Sequence, residues 1–101
     1  MMRGKIIVEK NHGNGGWCTK FHGESGQLYY ADLMPAHSLG PGSKPIVSEC
    51  GIFYCSTEGD DDSGIEWDLH LYQKQNIPCT PESLQRCIEE FLGYPVAMEV
   101  K

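Results

Sequence analysis

The chain has 101 residues, a formal net charge of −6, and 40% hydrophobic and 10% aromatic residues. That length suits one domain spanning 1–101 and leaves no room for a second core, while the apolar and aromatic content excludes a wholly disordered chain. The five cysteines, Cys18, Cys50, Cys55, Cys79 and Cys87, are odd in number and lack paired C-x-x-C spacing, which argues against a disulfide framework or a standard structural zinc site.

Arg3 and Lys5 give the start of the chain a basic character, but Glu9 and Lys10 interrupt the apolar run Ile6-Ile7-Val8. That run is too short for a signal-peptide core or a membrane span, so a cytoplasmic protein with no membrane contact is expected. Residues 5–10 read as a first strand and 17–22 as a second, with Trp17, Thr19 and Phe21 on one face. Between them, Asn11-His12-Gly13-Asn14-Gly15-Gly16 contains the hairpin dipeptide Asn14-Gly15. A phosphate loop would need a helix after its glycines, and here a β-type segment follows. The segment is expected to turn the chain.

A turn at 23–26 leads into a third strand over 27–34, with Tyr29, Ala31 and Leu33 on one side and Leu28, Tyr30, Asp32 and Met34 on the other. Residues 37–45 are rich in glycine and proline and read as a connecting loop. A fourth strand is expected over 46–56, bulged at Gly51, with Cys50 and Cys55 on opposite faces because their separation is odd. The strictest alternation in the chain follows the acidic segment 57–64, in the stretch "IEWDLHLY". It predicts a strand over 65–72 with Ile65, Trp67, Leu69 and Leu71 in the core and Glu66, Asp68, His70 and Tyr72 on an open face.

The helix signal is confined to Pro81–Leu92. Thr80 suits the N-cap, Pro81 the first helical position, Glu82 the positive end of the dipole and Gly93 the terminus. Leu84, Cys87, Ile88, Phe91 and Leu92 fall on one stripe, and residues 94–100 return as a last strand. Together these elements predict an α+β fold: a mainly antiparallel sheet of about five to six strands, one C-terminal amphipathic helix on one face and a short final strand.

Charge is the strongest functional signal. No lysine or arginine lies between Lys44 and Lys74, yet seven of the fourteen acids do: Glu49, Glu58, Asp60, Asp61, Asp62, Glu66 and Asp68. Such a field repels nucleic acid and attracts basic surfaces. The preferred expectation is a small acidic binding protein that recognises a basic macromolecular surface, of inhibitor or immunity type, acting on a nucleic-acid-binding protein or nuclease. Its contact residues would be Glu58, Asp60, Asp61, Asp62, Glu66, Asp68, His70 and Tyr72, with neither cofactor nor metal. An EF-hand is excluded because the acids are in the wrong register and no helix pair flanks them. An exposed sheet edge could also pair two copies of the chain.

The competing expectation is a small-molecule-binding domain or Cys/His-dependent enzyme with a pocket under the 37–45 loop. Tyr29, Tyr30 and Met34 would line that pocket. Convergence of Cys18, His22 and His70 would supply catalytic groups or zinc ligands.

Overall fold

A computed structural model describes residues 4–35, 47–59 and 63–101. The chain runs β1 (Lys5–Asn11), β2 (Gly16–His22), β3 (Leu28–Pro35), β4 (Val47–Tyr54), β5 (Tyr72–Pro78), α1 (Pro81–Leu92) and β6 (Ala97–Val100). The strands form one six-stranded sheet in the order β5-β4-β3-β2-β1-β6. Successive strands from β1 to β5 are antiparallel neighbours, whereas β6 lies parallel to β1. The fold is α+β, with one helix packed on one face of a mostly antiparallel sheet.

The parallel pair follows from the helix. Because β5 and β6 occupy opposite edges, the connection between them must cross the sheet, and α1 makes that crossing in contact with β2, β3, β4 and β5. Its start is set by Thr80, whose hydroxyl accepts from the Ser83 N–H, and by Pro81; its end is set by Gly93 at φ 86°, whose N–H donates to the Glu89 carbonyl. The apolar stripe Leu84, Cys87 and Ile88 closes on Ile6, Val8, Phe21, Ala31, Leu33, Cys50, Ile52 and Val96 to form the main core. At full burial, each large aliphatic side chain in that set contributes about 1.5–3 kcal/mol. α1 is neither long nor apolar enough to cross a membrane, and no other helix occurs among the described residues.

The Asn11–Gly16 segment is a turn. Asn11 and Gly16 pair across β1 and β2, and Gly15, at φ 81°, donates its N–H to the Asn11 carbonyl at 2.7 Å. Asn14 contributes through its side chain instead of a left-handed backbone, its Oδ1 accepting from the Gly16 N–H at 2.8 Å. The buried carboxylate of Asp32 accepts from the side-chain amides of both Asn11 and Asn14, which ties the turn to β3.

Two elements depart from the sequence expectation. Residues 65–72 do not form a strand: Ile65 makes an isolated bridge with Cys55, and the chain turns through 66–71 before β5 begins at Tyr72. The segment that pairs with β4 is the polar Tyr72–Pro78, an edge strand covered on its inner side by α1, so it needs few apolar residues. The bulge is also on β5 and not at Gly51. Glu49 alone separates the β4 residues paired with Ile77 and Lys74, whereas Gln75 and Asn76 lie between them on β5, with Asn76 at φ 62°. The extra residue reverses the alternation, so Tyr72 and Ile77 both reach the main core despite their odd spacing. Gly51 has a different role: the Phe53 and His70 rings lie over its backbone.

The tightest backbone approach is at Gly16, where an added Cβ would stand 1.7 Å from the Leu33 carbonyl oxygen. Gly16→Ala is expected to lower the urea midpoint by the equivalent of about 2 kcal/mol or more, because β2 and β3 must separate. Gly4→Ala, with nothing within 4 Å of the added carbon, should leave it within error of wild type.

Candidate functional site

The face of the sheet opposite α1 carries a second, smaller apolar cluster. Tyr30, Phe53 and Cys55 are buried there, with Cys18, Leu28 and Ile65 packed around them. Strand alternation produces this cluster: the pairs Tyr30–Phe53, Cys18–Asp32 and Lys20–Tyr30 are cross-strand neighbours whose side chains share the outer face. Cys50, by contrast, belongs to the main core, so the opposite-facing disposition expected for Cys50 and Cys55 is observed.

The 65–71 segment caps the outer cluster. Trp67 stands edge-on to Tyr30 at 5.7 Å and to Phe53 at 5.1 Å, and the His70 ring is tilted against Phe53 at 4.8 Å. These contacts add to the backbone bonds that tie the segment to β4, from the Glu66 N–H to the Tyr54 carbonyl and from the Leu71 N–H to the Ile52 carbonyl. Only part of each residue is covered: Trp67 is 46% exposed and Leu69 54%, where the alternating pattern predicted core positions. The expected flat face of Glu66, Asp68, His70 and Tyr72 is therefore not formed.

Glu58, Glu66, Asp68 and His70 are all exposed. Glu58 pairs with His22 at 3.3 Å, and the Glu66 N–H donates to the Tyr54 carbonyl at 3.0 Å. Before β5 begins, Ile65 and Glu66 occupy the margin of β4 beside Cys55 and Tyr54. A depression of about 450 Å³ lies there, its walls including Gln27, Tyr54, Glu66 and Leu69. Tyr54 is 39% exposed, so apolar and acidic groups share this surface. Tyr72 points elsewhere, donating its hydroxyl proton to Glu90 on α1 at 2.9 Å. Asp60, Asp61 and Asp62 lie outside the described residues, as does the 37–45 loop.

The groups expected to build a Cys/His centre are dispersed. Cys18 packs in the outer cluster, His22 pairs with Glu58 and His70 covers Phe53. Among the described residues no group of three or more His, Cys, Asp or Glu side chains is arranged to hold a metal. Tyr29 and Tyr30 are on opposite faces, Tyr29 against Phe21, Tyr54 and Phe91 and Tyr30 against Trp67, so they do not line one pocket. Burial pushes the Tyr29 phenol above its ordinary range.

Sequence reasoning missed the exposure of Trp67 and Leu69 because it assigned them to a strand. The missed signal was the polar run after Tyr72, whose composition suits an edge strand and leaves 65–71 free to become a cap. In a Trp17→Phe background, Trp67 emission reports on that cap: Phe53→Leu, which removes the supporting ring, should shift the emission to longer wavelength and increase acrylamide quenching while far-ultraviolet circular dichroism is unchanged. Comparison of the chain with protein-family models, curated proteins and solved structures gives no significant match, so its function is read from its own residues.

Proposed function

We propose that this protein is a binding protein that engages a basic surface of another protein through the 65–71 cap and the adjoining margin of β4. The observation that carries this reading is the placement of exposed Trp67 and Leu69 among Glu66 and Asp68 on the cap, with Leu69, Glu66 and Tyr54 sharing the walls of one depression. Large apolar side chains contribute most to affinity when a partner removes them from water, and surrounding charges set orientation and encounter rate. No lysine or arginine occurs between Lys44 and Lys74, so the sequence leading into the patch adds only negative charge. Asp60, Asp61 and Asp62 extend that charge in sequence.

A partner carrying lysines and arginines around an apolar patch is complementary to this surface. A nuclease or other nucleic-acid-binding protein is the target class the charge favours, because clefts built for phosphates accept carboxylates in their place. The mode of action is occlusion: the acidic surface covers the basic cleft and no bond is made or broken. Direct binding to nucleic acid is opposed by the same field.

The test is affinity capture with the full chain as bait, repeated with Trp67→Ala and with the double variant Glu66→Lys/Asp68→Lys. A basic protein should be retained by wild type, with affinity falling as salt is raised. Trp67→Ala should weaken binding about 30-fold or more, the cost of losing a central anchor of about 2 kcal/mol. The double reversal should weaken it most at low salt. Equal retention by all three proteins, or a partner that is itself acidic, would remove this surface as the recognition element.

A further inference from the structure

The main core contains a thiol pair at the seam between α1 and the sheet. Cys87, on the buried stripe of α1, shares the main core with Cys50 on β4 and Tyr72 on β5, and both act on its thiol. Tyr72 gives its hydroxyl proton to Glu90 Oε1 at 2.9 Å, and Lys74 Nζ donates to Glu90 Oε2 at 3.4 Å. Beside these groups a hollow of about 130 Å³ opens to the surface, its walls including Cys87, Lys74, Ile77, Arg86 and Glu90. Cys87 is only 3% exposed, so the hollow is its route to solvent. The arrangement places Cys87 in the wall of a small cavity with Lys74 and Arg86, and a second thiol, Cys50, behind it in the core.

The two thiols do not hold their protons equally. The hydrogen bond with Cys87 and then burial push the Cys50 thiol far above its ordinary value. The bond from Cys50 is also the main cause that pulls Cys87 down to about 7, assisted by Tyr72 and Lys74 and opposed by burial and the Glu90 carboxylate. Cys50 thus retains its proton and donates it toward the Cys87 sulfur. Tyr72 is raised, chiefly by burial, and stays protonated; Glu90 is held below the usual carboxylate range by Tyr72 and Lys74. Arg86 adds positive charge from the helix side of the hollow, and Asp32 acts on Cys50 from β3.

We infer that Cys87 and Cys50 form a redox-reactive dithiol site that takes hydrogen peroxide or a short alkyl hydroperoxide in the cavity beside Lys74 and Arg86. The Cys87 thiolate attacks one peroxide oxygen, the O–O bond breaks, and the leaving hydroxide or alkoxide takes up a proton to depart as water or alcohol. Cys87 is left as a sulfenic acid. The Cys50 sulfur then attacks the Cys87 sulfur, the S–O bond breaks, and the Cys50 proton leaves with the hydroxide as water. The product is a disulfide between β4 and α1, with both cysteines oxidised and one peroxide reduced. A covalent link between helix and sheet would also stabilise the native packing.

The site is tested on the full chain by adding hydrogen peroxide near neutral pH and mapping the cysteine peptides by mass spectrometry. A Cys50–Cys87 disulfide should form first. Cys50→Ser should arrest the reaction at a Cys87 sulfenic acid captured by dimedone. Alkylation of Cys87 by iodoacetamide in the folded wild type should rise through an inflection near pH 7 and run about tenfold faster than at Cys18 or Cys79 in neutral buffer. Tyr72→Phe should move that inflection upward. Because the alkylation profile needs no variant, it decides the matter even if a substitution perturbs folding. Primary oxidation of Cys18 or Cys79, or a Cys87 that reacts only after denaturant is added, would overturn the inference.

Discussion

Contact between one stripe of α1 and one face of the sheet holds this molecule together. Leu84, Cys87 and Ile88 cover apolar residues from β1 to β4, and no other described helix shares the task. The same contact dictates the topology. An antiparallel meander carries the chain from β1 to β5, and a helix that must cover the whole inner face delivers it to the far edge. There β6 pairs parallel to β1, an arrangement that requires a crossover connection.

Covering the inner face leaves the outer face to be managed by other means. Tyr30 and Phe53 would form an exposed aromatic patch if nothing covered them, and the 65–71 segment supplies that cover through Trp67 and His70. A cap made from a turning segment has less area than a helix, so part of Trp67 and most of Leu69 remain in water. The remaining apolar surface lies among carboxylates, which protects against indiscriminate association while leaving a surface complementary to cations. Folding and the proposed recognition thus draw on the same few side chains.

The thiol pair and the acidic patch are on opposite faces and have little chemistry in common. The proposed patch would act through solvent-exposed charge and be weakened by salt; the Cys50–Cys87 pair sits in the helix–sheet interior, where screening is small. Oxidation at the seam would change the helix–sheet contact without touching Trp67 or its neighbours. The two sites can be separated by experiment for that reason.

The helix and the first strands were readable from short stretches of sequence because the interactions that set them span only a few residues. Thr80, Pro81 and Gly93 start and stop α1 through their own backbone geometry and hydrogen bonds. Alternation in 17–22 and 27–34 correctly divided Thr19, Phe21, Ala31 and Leu33 from Cys18, Tyr30 and Asp32. The same rule failed at 65–72 because alternation records where apolar groups fall, not whether a neighbouring strand is available to pair with them. The edge beside β4 went to the polar Tyr72–Pro78, which could afford its composition because α1 covers its inner side. That choice, the exposure of Trp67 and Leu69, and the meeting of Cys50 with Cys87 depend on contacts between residues far apart in the chain, and only the assembled tertiary structure decides them.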